Sequence, residues 1–150
     1  MKKLILTLIA VSTAAISFSA SAQFAKPEDA VKYRKSAFSV MAEHNKRLAQ
    51  MAQGKAPFDA KLAAENAEIV ATMAKLPWAA FVEGSDTGDT KAKPEVWKQN
   101  AKFKEAAEKF QADAAKLAVA AKTGKEEAFK AAFVASSGNC KSCHDDFKNK

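Results

Sequence analysis

Proline and glycine are scarce in this chain, and their positions decide what it can fold into. Pro27, Pro57, Pro77 and Pro94, with Gly54, Gly84, Gly88, Gly124 and Gly138, are the only ones in 150 residues. They divide the chain after residue 22 into four parts. Each part carries apolar residues at intervals of three and four, the spacing of one helix face. No stretch shows the two-residue alternation of a strand, and there is no internal repeat or low-complexity tract beyond an alanine bias.

The first helix is predicted from about Pro27 to Met51. Pro27 suits a first turn because it lacks an amide that would stay unpaired, and Glu28 and Asp29 complement the helix dipole. Its stripe is Ala30, Tyr33, Ala37, Met41, His44, Leu48 and Met51, and Gln53 to Pro57 ends it. The second begins at Asp59, an N-cap residue type, and shows Leu62, Asn66, Ile69, Met73 and Leu76 before Pro77 stops it. A loop rich in Gly, Ser, Thr and Asp runs from Glu83 to Lys93. The third helix runs from near Pro94 through Trp97, Ala101, Phe103, Ala107, Phe110, Ala114, Leu117 and Ala121, with Thr123-Gly124 as its stop. The fourth spans Lys125 to the end, with Phe129, Phe133, Ser136, Cys140, Cys143 and Phe147 in line. Gly138 lies within it, either tolerated or bending the helix. Four such helices with short connections predict an all-α, antiparallel up-down-up-down bundle.

Residues 1–22 read as a secretory leader: Lys2 and Lys3, an apolar run from Leu4 to Phe18, and a small-x-small site at Ala20-Ser21-Ala22. The apolar run is short of the roughly 20 residues of a spanning helix. Cleavage would leave one domain, residues 23–150, in an exported, soluble protein. The formal charge of +7 becomes +5 without Lys2 and Lys3. The remaining lysines are scattered among acids without aromatic interleaving, which argues against a nucleic-acid partner and for a solvated surface. Such a surface leans weakly toward an acidic redox partner.

The two cysteines of the chain stand in Cys140-Lys141-Ser142-Cys143-His144. Two thiols three apart with a histidine after the second is the arrangement that attaches a c-type haem, the histidine serving as axial iron ligand. Two other readings exist. A zinc site drawing on Cys140, Cys143, His144 and His44 would need tetrahedral ligands from adjacent residues, a poor fit. A thioredoxin-like dithiol would need a strand before it and a helix after it. The leader, the attachment motif and the Lys-Lys start together point to a bacterial periplasm.

The motif at the extreme C-terminus of the last of four helices resembles cytochrome c′ and its class II relatives. The likeness extends to Gln23 to Arg34, Leu76 to Phe81, and Pro94 to Trp97. It implies one covalently bound haem c, with Cys140 and Cys143 holding the porphyrin and His144 as proximal ligand. It further places Arg34 and Lys35 on the propionate side, the Asp89-Thr90 stretch at the haem edge, and the basic Lys148 near the proximal face. Phe38 falls where the family puts an apolar residue over the iron. That implies an empty sixth position, five-coordinate high-spin iron, and binding of nitric oxide or carbon monoxide. Some class II relatives use a methionine of the first helix as sixth ligand and are low-spin electron carriers. Met41, one turn from Phe38, keeps that alternative open, as does His44 through a bis-histidine arrangement. Trp78 and Trp97 pack on the core or on the porphyrin edge. A peroxidase or reductase would need a distal acid–base pair, and none stands near Phe38. The resemblance also implies a homodimer through the first two helices and an unidentified redox partner.

Overall fold

The computed structural model describes residues 23–150; the expected leader lies outside the described residues. Five α-helices follow in order: α1 (Pro27–Ala52), α2 (Ala60–Met73), α3 (Glu95–Lys98), α4 (Asn100–Lys122) and α5 (Glu126–Phe147). A 3-10 turn at Pro77–Ala80 follows α2. The four long helices form the predicted bundle, and among the described residues there is no strand, only a single bridge between Ala92 and Lys148.

Local chemistry explains the starts and stops. Pro27 opens α1 with Glu28 and Asp29 in its first turn, and the Asp59 side chain caps α2 by accepting from the Leu62 amide at 2.9 Å. The α4–α5 turn passes through Gly124 at φ 70°, a left-handed geometry that a side chain resists.

Contacts at the two ends fix the topology. Phe58, in the α1–α2 connection, packs on Phe129 near the start of α5 at 5.4 Å. At the other pole Phe103, early in α4, meets Phe147, the last residue of α5, at 5.2 Å, and Arg34 of α1 reaches the Ala80 carbonyl beyond α2. The starts of α1 and α4 therefore share a pole with the ends of α2 and α5. Around the bundle α1 lies between α2 and α5, and α4 completes the square.

Several expectations are corrected. Leu62, Ile69 and Leu76 are 47%, 36% and 38% exposed, so they are not the core stripe of the second helix. The buried face of α2 is Ala63, Asn66, Ala67 and Val70. Small residues let α2 lie close to its neighbours, and the larger ones are turned outward. The helix ends at Met73, earlier than Leu76. The predicted third helix is broken at Gln99, which leaves helical geometry at φ −114°, ψ 43° and separates α3 from α4. Gly138 does not bend α5, which runs unbroken through it, and a methyl group there would meet open space.

The core has two parts. The larger gathers Leu48, Met51, Ala63, Ala67, Leu117 and Phe129 toward the α1–α2 and α4–α5 turns. The smaller, Val96, Phe103 and Phe147, lies under the long α2–α4 connection. Each fully buried Leu or Phe stabilises the fold by about 1.5–3 kcal/mol.

Candidate cofactor site

Between these two clusters the side chains do not close up. A cavity of about 670 Å³ opens between α1 and α5 at the pole of the long connection. Its α1 wall is Phe38, Met41 and Ala42; Val70, Trp78, Phe81, Phe103 and Phe110 form its floor and sides. Cys140, Cys143 and His144 stand on the α5 side with Phe147. Helical spacing accounts for this, since residues three and four apart share a face. Cys140 packs against the larger core cluster and Cys143 against the smaller, so the two thiols straddle the gap.

The electrostatics suit a covalent tether better than a redox dithiol. Both cysteines are free and half-buried. Burial raises the Cys140 thiol, and it pushes Cys143 up to about 11 with help from Cys140 and Asp146. A redox-active dithiol shows the opposite shift, toward thiolate. Burial, reinforced by the charge of Lys148, lowers the His144 pKa, which favours the neutral imidazole that a metal needs. Among the described residues no group of three His, Cys, Asp or Glu is placed to hold a metal ion by itself. The zinc reading therefore fails, and the dithiol reading fails with it, because an unbroken helix surrounds the motif where a strand would be needed.

His44 is elsewhere. Its Nδ1 lies 2.8 Å from Asn66 Oδ1 at the α1–α2 contact, and it does not line the cavity. Asn66 donates from Nδ2 to the Leu62 carbonyl, so its oxygen accepts and His44 Nδ1 carries the proton. Met41 does line the cavity, one turn beyond Phe38.

Arg34 and Thr90 meet at the cavity rim, and Arg34 is buried, 2% exposed, rather than a surface charge. Its two terminal nitrogens donate to Ala80 O (2.8 Å), Ser85 Oγ (2.7 Å), Ser85 O (2.6 Å) and Thr90 Oγ1 (2.8 Å). The guanidinium also lies 4.4 Å over the Phe81 ring. Desolvation lowers its pKa, opposed by Asp86. Lys35 pairs with Asp89 on the same rim. Lys148 leaves the helix in an extended conformation, and the tail is stitched to the loop by Lys93 N to Phe147 O at 2.9 Å and Asn149 N to Lys91 O at 2.8 Å.

Sequence reasoning missed Ser85, which is wholly buried as the acceptor for Arg34. It also missed Asp113, an almost buried carboxylate on α4 that accepts from Lys109, Lys116 and Asn139. Asn139 immediately precedes Cys140, so this cluster pins α5 beside the motif. Periodicity offered a faint signal for Asp113, which adjoins the apolar Ala114, and none for Ser85.

A helical bundle with an apolar cavity, walled on one helix by Cys-x-x-Cys-His, defines the class: a c-type haem protein built as a four-helix bundle. The cavity falls within the 300–1,000 Å³ usual for cofactor sites, and thiols and imidazole on one wall fit a tethered porphyrin. The family model described as Cytochrome C′ matches residues 29–148. Cytochrome c′ of Rubrivivax gelatinosus is 56% identical over 129 residues, covering 85% of this chain and all of that protein. That of Alcaligenes xylosoxydans xylosoxydans is 45% identical, covering 85% of this chain and 99% of its own. The Rubrivivax gelatinosus crystal structure superposes with a TM-score of 0.82 at 55% identity, over 85% of this chain and 100% of that one. A nitric oxide complex of a leucine-to-alanine variant from Alcaligenes xylosoxidans superposes at 0.79 with 44% identity, over 85% and 99%. This chain belongs to the cytochrome c′ family, whose cofactor is covalently bound haem c.

Proposed function

We propose that this protein is a periplasmic gas-binding cytochrome with one haem c tethered through Cys140 and Cys143 and ligated by His144 alone. When bound, the haem supplies an iron with one open position for a diatomic ligand and a one-electron redox couple. The observation that carries the reading is the contrast between the cavity's walls. His144 borders it on α5, while the facing wall from α1 and α2 is built from Phe38, Met41 and Val70. Phe38 covers the face opposite His144 and excludes bulky or polar ligands. No acid–base pair stands on that wall, so binding and electron transfer fit better than catalysis. Nitric oxide or carbon monoxide is the ligand class, supported by the nitric oxide complex of the Alcaligenes xylosoxidans relative.

At the rim, Lys35 and Thr90 border the propionate side with Arg34, whose four bonds hold the loop there. Lys148 sits beside His144, where burial first and the Lys148 charge second lower the imidazole pKa. Among the described residues no helix is long and apolar enough to cross a membrane, which agrees with export behind the leader at residues 1–22. Val40, Leu62 and Ile69 are exposed apolar residues of α1 and α2, and they support a homodimer through those helices.

Absorption spectroscopy with mass spectrometry tests the reading. Purified protein should carry one tetrapyrrole mass, absent in a Cys140→Ala, Cys143→Ala variant, and a broad high-spin Soret band in both oxidation states. Sharp α and β bands in the ferrous form, abolished by Met41→Leu, would assign Met41 as sixth ligand and end the gas-binding half.

A further inference from the structure

Phe38 packs on the edge of the larger core cluster, but no polar contact fixes its ring. A helical phenylalanine has two accessible χ1 wells, and changing between them swings the ring by several ångströms. Nothing tethers the ring by a hydrogen bond, and next to it on the cavity wall Ala42 is small and exposed. What bounds Phe38 is aromatic: Trp78 meets it edge-on, with centroids 5.8 Å apart and planes at 82°, and Phe81 lies at 6.4 Å.

Trp78, by contrast, is fixed from several sides. Its turn begins at buried Pro77, whose ring locks the backbone. Its indole Nε1 donates to the Ala74 carbonyl at the end of α2. Its rings pack against Phe103 at 5.7 Å and Phe110 at 6.4 Å on α4, and stack on Phe81 at 6.4 Å. One rigid side chain therefore ties the bundle core to a mobile type of side chain on the cavity wall.

We propose that Trp78 is the positioning residue of the distal wall: it blocks rotation of Phe38 away from the cavity and so sets how fast a diatomic gas reaches the face opposite His144. The inference rests on Phe38 being the distal cover, as proposed above. Trp78 acts through Phe38 and carries no chemistry of its own. Removing it lowers the energy needed to move Phe38 aside and speeds entry, while the tether and the imidazole are unchanged.

The test is a double-mutant cycle on the haem-loaded protein, reading carbon monoxide association by flash photolysis. Trp78→Leu should raise the association rate about five- to tenfold, the scale of one aromatic pair, with dissociation nearly unchanged. In a Phe38→Ala background the same substitution should add less than about twofold, because its target is gone. Trp78→Phe, which keeps an aromatic filler and safeguards folding, should give an intermediate rise. A crystal structure of either Trp78 variant should show Phe38 in a second rotamer, a readout independent of gas binding. An equal acceleration with and without Phe38 would make Trp78 itself the barrier and overturn the inference. So would an unchanged rate in both Trp78 variants while Phe38→Ala accelerates entry. An unaltered rate in Phe38→Ala overturns the distal-cover reading as well, which separates the two failures.

Discussion

The two ends of the bundle use the same helices and solve opposite problems. Toward the α1–α2 and α4–α5 turns, Leu48, Met51, Leu117 and Phe129 meet across facing alanines in the larger core cluster. Toward the long connection the helices hold a cavity of about 670 Å³ open among aromatic rings. Apolar burial dominates the closed end, with the His44–Asn66 bond and the Lys122–Glu68 pair beside it. The open end relies on polar stitching: Arg34 to the loop, the tail to Lys91 and Lys93, and Asp113 to Asn139. A binding cavity costs contacts, and here directional bonds around its rim replace them.

That contrast can be broken from the closed end first. Phe129 is wholly buried between Phe58 and Phe133. Phe129→Ala should destabilise the protein by about 3–5 kcal/mol in denaturant unfolding, the usual range for a buried aromatic. The haem spectrum of the surviving folded fraction should be unchanged, because the cavity lies at the other pole.

A smaller but more local effect is expected at the open end. Arg34→Ala removes four hydrogen bonds and leaves the Ser85 and Ala80 carbonyls short of a donor. The expected loss is about 2–4 kcal/mol. Limited proteolysis should cut between residues 81 and 92, while amide exchange near Leu117 stays slow. Lysine should restore little, since it lacks the planar fork that serves acceptors on two sides. Uniform loosening of both ends would erase the distinction between them.

Asp113 supplies a pH test. Hydrogen bonds from Lys116, Asn139 and Lys109, in that order, hold its carboxyl well below the usual carboxylate range. A depressed acid stabilises the fold fully above its unfolded value, about 4, and loses that contribution as pH falls toward the folded value. Asp113→Asn should therefore cost about 1–2 kcal/mol at neutral pH and flatten the acid side of the stability–pH curve. An unchanged acid limb would mean that the cluster does not pin α5. The smallest change goes the other way: Gly138→Ala, at an exposed helical site with open space, should stabilise by about 1 kcal/mol without altering the spectrum.

Much of the site is legible along one helix. Cys140, Cys143 and His144 share a face because the backbone repeats every 3.6 residues, and their chemistry is stated by their order. The second helix shows where that reading slips. Leu62, Asn66, Ile69 and Met73 form one stripe, and Ala63, Asn66, Ala67 and Val70 form another, one residue over. Hydrophobicity prefers the first, yet close helix approach selects the second, with Asn66 common to both. The break at Gln99 is marked by neither proline nor glycine.

What the amino-acid sequence determined alone was local: four long helices, the starts of the first two, and a tether motif on one face of the last. Tertiary structure decided the rest. Arg34 is buried because its acceptors at Ala80, Ser85 and Thr90 lie 46, 51 and 56 residues away. Phe38 shares the cavity wall with Trp78, 40 residues on, which meets it edge-on. Helix periodicity is written in neighbouring residues, whereas burial of a charge or restraint of a ring depends on partners that only the folded chain brings within reach.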